Sequence, residues 1–235
     1  EGRCRLIDPL ELDLTGFAGV VVSPGVPLNS HPIGPHTWQY GLPVIGDIEL
    51  FAMARPSLPP HKVVGITGTN GKSTTTALTH HILQSAGVPT VMGGNIGDPI
   101  LAQEPLLEGG VYVLELSSFQ LETTHSLRTV TSTVLNLTPD HMDRYPTVQA
   151  YREAKLRIFQ NLKPDDVAVI PFGGELPAPT SKPITFSTID PAADWFSDGV
   201  LIFHRGEVCA DLNRDSFLRG LHNAENAMAI AFSAL

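Results

Sequence analysis

The chain has 235 residues, is 42% hydrophobic and carries a net charge of −9. That length allows one large or two smaller domains with a true core, and the acidic balance without a basic patch argues against a nucleic-acid partner. Two cysteines, Cys4 and Cys209, make no disulfide framework; no run reaches the ~20 apolar residues of a membrane helix and Glu1-Gly2-Arg3-Cys4 opens no signal peptide, so a cytoplasmic protein without membrane association is expected.

In chain order, Val20-Val21-Val22 predicts a buried strand stopped by Ser23-Pro24-Gly25. Leu42–Ile45 predicts a second short strand, and a helix follows over Asp47–Ala54. The Pro-rich stretch Arg55–Pro60 predicts a linker, which divides 1–60 from 61–235. Strands and helices then alternate. Strand 62–67 leads to a helix over 72–86, with Leu78, Ile82 and Ala86 on its apolar face and Gly87 just past its end. Strands are expected at 90–92, 111–116 and 131–137. A helix over 147–162 offers Tyr151, Ile158 and Phe159 to the core, and a strand follows at 167–170. Such alternation makes a mostly parallel sheet with helices on both faces, an α/β fold. Short strands at 184–187, 200–204 and 207–212, with turn signals Asp198-Gly199 and Arg205-Gly206, predict a small antiparallel patch. A last helix starts near Asn223. The missing initiator Met and an end inside a helical pattern at Ala234-Leu235 read as a piece of a longer protein.

The run Gly65-Ile66-Thr67-Gly68-Thr69-Asn70-Gly71-Lys72-Ser73-Thr74 follows an apolar strand and opens a helix. Glycines there let backbone N–H groups approach oxyanions. The helix N-terminus adds partial positive charge, Lys72 adds a full one, and the Ser73 hydroxyl can ligate Mg²⁺. The general phosphate-loop pattern wants glycine where Ile66 stands, so the loop is a tighter variant. Its expected ligand is a nucleotide triphosphate. Thr74-Thr75-Thr76 costs about half a kcal/mol of helix propensity per residue, which a tightly docked helix absorbs.

Two further strand ends carry polar groups, where ligands of open α/β sheets sit. Glu115 ends the run Val111–Glu115 and can share Mg²⁺ with Ser73; the plainer reading is a solvent-facing strand-end carboxylate. Val134–Leu137 leads into Thr138-Pro139-Asp140-His141-Met142-Asp143-Arg144-Tyr145, suited to metal ligation or substrate orientation. The histidine spacings make no zinc pattern. His80 and His81 read as surface or packing, Cys209 as core, and Trp38 and Trp195 as packing.

Taken together, Gly68–Thr74, Gly93-Gly94-Asn95-Ile96-Gly97, Leu114–Glu122, Asp140–Tyr145, Tyr151–Lys155 and His222–Ala227 occur in an order that resembles the Mur ligase superfamily. Leu114-Glu115-Leu116-Ser117-Ser118-Phe119-Gln120-Leu121-Glu122 is similar to its D-glutamate-adding branch. The resemblance implies that ATP phosphorylates the alanyl carboxylate of UDP-N-acetylmuramoyl-L-alanine and that D-glutamate then attacks the acyl phosphate. It implies ATP contacts at Gly68, Thr69, Asn70, Gly71, Lys72, Ser73, Thr74, Asn223 and Asn226. Mg²⁺ would be held by Ser73 and Glu115, and a second Mg²⁺ by His141 and Lys155. Lys72, Asn95, His141 and Lys155 would serve catalysis; the lysine matching Lys155 is carbamylated in that family, whereas pattern alone reads a surface lysine. Ser23, Pro24, Gly25, Asn95 and Ser117 would meet the UDP substrate.

The superfamily has a UDP-binding domain, a central ATPase and a C-terminal domain. Here 1–60 resembles a shortened first domain and 61–235 the central one, while the third is not seen. The resemblance therefore implies a monomeric parent that ligates and a chain that does not complete ligation alone. Another Mur ligase, a folylpolyglutamate synthase-like ligase and a non-ligating ATP switch are the alternatives.

Overall fold

A computed structural model describes residues 6–174, 183–214 and 220–230; Cys4 and the expected helical end at Ala234-Leu235 lie outside them. The elements are β1 (Val20–Val21), α1 (Ile33–Gln39), β2 (Val44–Ile45), α2 (Asp47–Ala54), β3 (His61–Thr67), α3 (Lys72–Ser85), β4 (Thr90–Gly94), β5 (Gly110–Glu115), α4 (Ser118–Glu122), β6 (Thr131–Val134), α5 (Val148–Leu156), β7 (Val167–Pro171), β8 (Pro183–Ser187), β9 (Trp195–Ser197), β10 (Leu201–His204), β11 (Glu207–Asp211) and α6 (Leu221–Ile230).

β3 from Val63 to Ile66 and β5 from Val111 to Leu114 are apolar and buried because both sheet faces are covered. Alternate side chains go to opposite layers. Val63, Tyr112 and Leu114 join Ile48, Phe51, Leu121 and Ile158 on one face. Val64, Ile66, Val111 and Val113 join Leu83, Ala224 and Met228 on the other. The nine-stranded sheet runs β11-β10-β9-β8-β7-β6-β3-β5-β4. Pairing is parallel from β4 through β9 and antiparallel only at β9/β10 and β10/β11. The expected α/β class with a small antiparallel patch is therefore present, but β8 belongs to the parallel part. The two tight turns explain this. Arg205 and Gly206 both have positive φ (51° and 87°), as a two-residue hairpin turn needs, and no positive-φ turn lies in the segment 188–194 that follows β8.

Several local expectations are corrected. β1 is not buried: Val21 is 55% exposed, since β1 pairs only with β2. The buried face of α3 is Thr75, Thr76, Thr79 and Leu83, while Ile82 and Ala86 are exposed. Threonine methyls do the packing there, and Thr79 returns its hydroxyl to the Thr75 carbonyl at 2.8 Å. Cys209 is exposed because β11 is the sheet edge, and Trp38 projects from α1, 59% exposed. Trp195 does pack, stacked on His204 at 4.5 Å. β6 stops at Val134, and α5 gives way to a 3-10 turn at Arg157–Phe159. The helices α1 and α4 and the strand β9 went unforeseen. α4 is short but capped: Ser117 Oγ accepts from Gln120 N, and the Gln120 side chain accepts from Ser117 N.

The segment before β3 is not loosely attached. α2 buries Ile48 and Phe51 in the main core. Glu49, 5% exposed, accepts hydrogen bonds from the backbone N–H groups of His125 and Ser126.

Candidate functional site

β3 delivers the chain to Gly68, whose φ of +155° turns it sharply where a Cβ would lie 3.0 Å from the Leu135 Cβ. The loop ends at Gly71, the N-cap of α3, with φ +84°. A side chain at Gly71 would run into Asn226 Oδ1 from α6, so α6 closes over the loop. Between the glycines, one amide holds the backbone. Asn136 Oδ1 accepts from Thr69 N (3.1 Å) and Asn70 N (2.8 Å), and its Nδ2 donates to the Asn70 carbonyl (3.1 Å). Asn136 was missed from sequence, although a lone amide inside Val134-Leu135-Asn136-Leu137 is a readable signal. The Thr69 hydroxyl meets Tyr151 OH and the Thr138 carbonyl, each at 3.0 Å. Tyr151, expected only in the core, thus also reaches the loop.

Two lysines donate to loop carbonyls: Lys72 Nζ to Thr69 O at 2.9 Å and Lys155 Nζ to Gly68 O at 2.8 Å. Lys155 is 2% exposed, which overturns the surface reading. Burial, and then the nearby Lys72 charge, pull its amine down to about 7; Asp140 and Glu115 oppose this.

Glu115 is 2% exposed, not solvent-facing. Its Oε2 accepts from Ser73 Oγ at 2.8 Å and its Oε1 from Asn95 Nδ2 at 2.9 Å. Parallel register sets this up, because β5 ends beside both β3 and β4. Gly94 lets the β4 end approach, since a Cβ there would strike the Glu115 carbonyl. A buried carboxylate met only by neutral donors, with a hydroxyl on it, is a hard oxygen set suited to Mg²⁺. Among the described residues no three of His, Cys, Asp and Glu gather as a metal cluster; nucleotide oxygens and water would complete such a site.

His141 sits in the left-handed region, φ 53°, a strain of order 1–3 kcal/mol that functional loops often carry. Its ring packs on Phe119 at 4.9 Å and faces Asp140 at 3.6 Å. Tyr151 lies near both His141 (6.2 Å between rings) and Lys155 (Nζ 5.0 Å from the ring), but no hydrogen bond joins His141 to Lys155. The Ser117 hydroxyl is occupied in capping α4. Asn70, Gly71, Asn136, Thr138, His222, Glu225 and Asn226 line a cavity of about 410 Å³ beside the loop. Asn223 lies on the same helix outside that lining. Ser23–Gly25 forms a turn, with Val26 N on the Ser23 carbonyl at 3.0 Å, well away from the loop in sequence but tied to the His141 segment through Arg144.

Residues 66–234 match the family described as the Mur ligase middle domain. The chain belongs to this family. The match begins inside β3 and takes in the phosphate loop, Glu115, His141, Lys155 and α6, so the Mur ligase resemblance read from the motifs is borne out. The chain is 62% identical over 175 residues to the UDP-N-acetylmuramoylalanine–D-glutamate ligase of Novosphingobium aromaticivorans, covering 74% of this chain and 40% of that protein. It is 43% identical over 248 aligned positions to the enzyme of the same name from Phenylobacterium zucineum, covering 96% and 52%. The chain thus spans two fifths to about half the length of these curated relatives. Among solved structures, UDP-N-acetylmuramate:L-alanyl-gamma-D-glutamyl-meso-diaminopimelate ligase from Neisseria meningitides shares the fold at 17% identity and TM-score 0.65, covering 92% of this chain and 73% of that one.

Proposed function

We propose that the protein carrying this Mur ligase middle domain is an ATP-dependent, ADP-forming ligase that adds D-glutamate to UDP-N-acetylmuramoyl-L-alanine, in the cytoplasm, during peptidoglycan precursor synthesis. The observation that carries the reading is the 62% identity to a D-glutamate ligase across the segment that holds the Lys72 loop and the buried Glu115 with its Ser73 partner. Among the described residues, no helix is long and apolar enough to cross a membrane.

The chemistry follows from charge. A carboxylate is a poor electrophile, so its oxygen first takes the γ-phosphoryl group of ATP, releasing ADP. The amine nitrogen of D-glutamate then attacks the acyl carbon, the C–O bond to phosphate breaks, and the amine gives up a proton. Bringing two anions together needs fixed positive charge. Lys72 would leave the Thr69 carbonyl for the phosphates, and loop N–H groups would cradle them. Ser73 and Glu115 would hold Mg²⁺, which supplies charge neutralisation when bound. The Asn95 amide, 2.9 Å from Glu115, would orient the substrate acyl end beside it. Lys155 with an unprotonated amine can add CO₂, which would turn it into an oxygen donor for a second Mg²⁺ with His141. Asn226, His222 and Glu225 would meet the nucleoside.

The test is phosphate release by the full-length protein given ATP, Mg²⁺, UDP-N-acetylmuramoyl-L-alanine and single amino acids. Release with D-glutamate alone supports the reading. Release with a different amino acid points to another Mur ligase, and release without substrate points to a nucleotide switch.

A further inference from the structure

Arg144 has no role in the reaction above, yet its side chain links the Ser23–Gly25 turn at the front of the chain to the ring that packs on His141. Its side chain is 8% exposed. Nη1 donates to the Pro24 carbonyl at 3.0 Å and Nη2 to Glu122 Oε2 at 2.7 Å. The guanidinium lies over the Phe119 ring, 3.9 Å from its centroid, and that ring packs on His141. The Arg144 carbonyl accepts from Asn29 Nδ2 at 2.7 Å. Among the described residues, both hydrogen bonds that tie residues 23–30 to the chain beyond residue 60 end on Arg144. A cavity of about 480 Å³ opens beside it, lined in part by Asn29, Trp38 and Glu122; behind the turn, Val22 N donates to the Ile45 carbonyl at 2.9 Å and Gly46 N to the Thr123 carbonyl at 3.2 Å, so Arg144 is the tie on the open side.

We propose that Arg144 is a positioning residue: it holds the Ser23–Gly25 turn at a set distance from His141 and Asn95, so that one rigid frame receives both ends of the UDP substrate. This rests on the ligase reading and on that turn meeting the substrate. The side chain suits the task. A planar fork serves two acceptors in fixed directions while its face stacks on an aromatic ring; a lysine ammonium is a point charge with no plane, so it neither fixes those two directions nor stacks in the same way. Glu122 closes the helix that Ser117 opens, so the same fork also indexes the turn to α4. A frame loosened by about 1 Å costs on the order of 100-fold in a two-ended reaction.

The experiment compares wild type, Arg144→Met, Arg144→Lys and Glu122→Gln in the full-length protein, measuring kcat and KM separately for ATP, UDP-N-acetylmuramoyl-L-alanine and D-glutamate. Arg144→Met is expected to raise KM for the UDP substrate by about tenfold or more with KM for ATP unchanged. Arg144→Lys is expected to fall between it and wild type. Should Arg144→Met fail to fold, Glu122→Gln, which loosens the same fork, must raise the same KM alone. An unchanged KM for the UDP substrate in every folded variant overturns the inference, as does an equal rise for ATP. A wild-type protein without D-glutamate ligation overturns the ligase reading instead.

Discussion

The amine of Lys155 lies 2.8 Å from the carbonyl oxygen of Gly68, the first residue of the phosphate loop. Helix α5 thus reaches 87 residues back along the chain to hold the loop from beneath. Lys72 holds it from the other side through Thr69. Burial first, and then the charge of the nearby Lys72, pull the Lys155 amine down to about 7.

That shift has a sign. The folded state binds the Lys155 proton less tightly than the unfolded chain, whose lysine titrates near its ordinary 10.5. Burying the amine therefore costs stability fully below about pH 7, and the cost is relieved as pH rises from 7 toward 10.5. Lys155→Met is expected to flatten this rise in urea unfolding curves measured across that range. A neutral amine can add CO₂ with loss of a proton, so under the proposed role ¹³C-bicarbonate should give a carbamate NMR signal that grows as pH rises through about 7 and is missing in Lys155→Met.

Lys72 is the only full positive charge carried by the loop itself. Lys72→Met should lower kcat by about 100- to 1000-fold, the usual loss for one charge stabiliser at a transferring group, without unfolding the protein. Phosphate-release kinetics alongside a melting curve check this; retained turnover removes Lys72 from the proposed role.

Asn136 makes three hydrogen bonds to Thr69 and Asn70 and also lines the nucleotide-sized cavity. Asn136→Ala should raise KM for ATP by about tenfold, the equivalent of one to two net hydrogen bonds, and leave KM for the UDP substrate unchanged. Asn136→Asp keeps both acceptor bonds but sets a negative charge beside the phosphates, so it should do no better. Steady-state kinetics with each substrate varied in turn decide it.

Glu49 tests the attachment of α2. Burial pushes its carboxyl up, but hydrogen bonds from Ser126 and His125 more than reverse this and hold it below 4.5. Its contribution is thus complete above pH 4.5 and is lost as pH falls through the lower folded value. Glu49→Ala should cost about 1–3 kcal/mol at pH 7 through stranded N–H groups, and the gap to wild type should narrow in acid. Urea titrations at pH 7 and pH 3.5 measure both.

The site was legible wherever one short segment carries a whole chemical device. Gly68–Ser73 joins glycines, an amine, a hydroxyl and a helix start within six residues. Asn136 was harder, because its meaning lies in the backbone of another segment. The buried face of α3 was misread for a different reason: threonine counts as polar in a periodicity, yet its methyl packs as well as an alanine's.

By itself the sequence determined the alternation that makes a parallel sheet, the phosphate loop at the end of β3, and the set of polar groups at the strand ends; local propensity and spacing suffice for these. Only the tertiary structure decided that Lys155 is buried under Gly68, that Glu115 meets Ser73 and Asn95, that β8 joins the parallel strands, and that Arg144 spans from Pro24 to Glu122. Each of these depends on strand order and helix docking, and these arise from burying apolar faces on both sides of the sheet, a property of the whole chain that no single segment encodes.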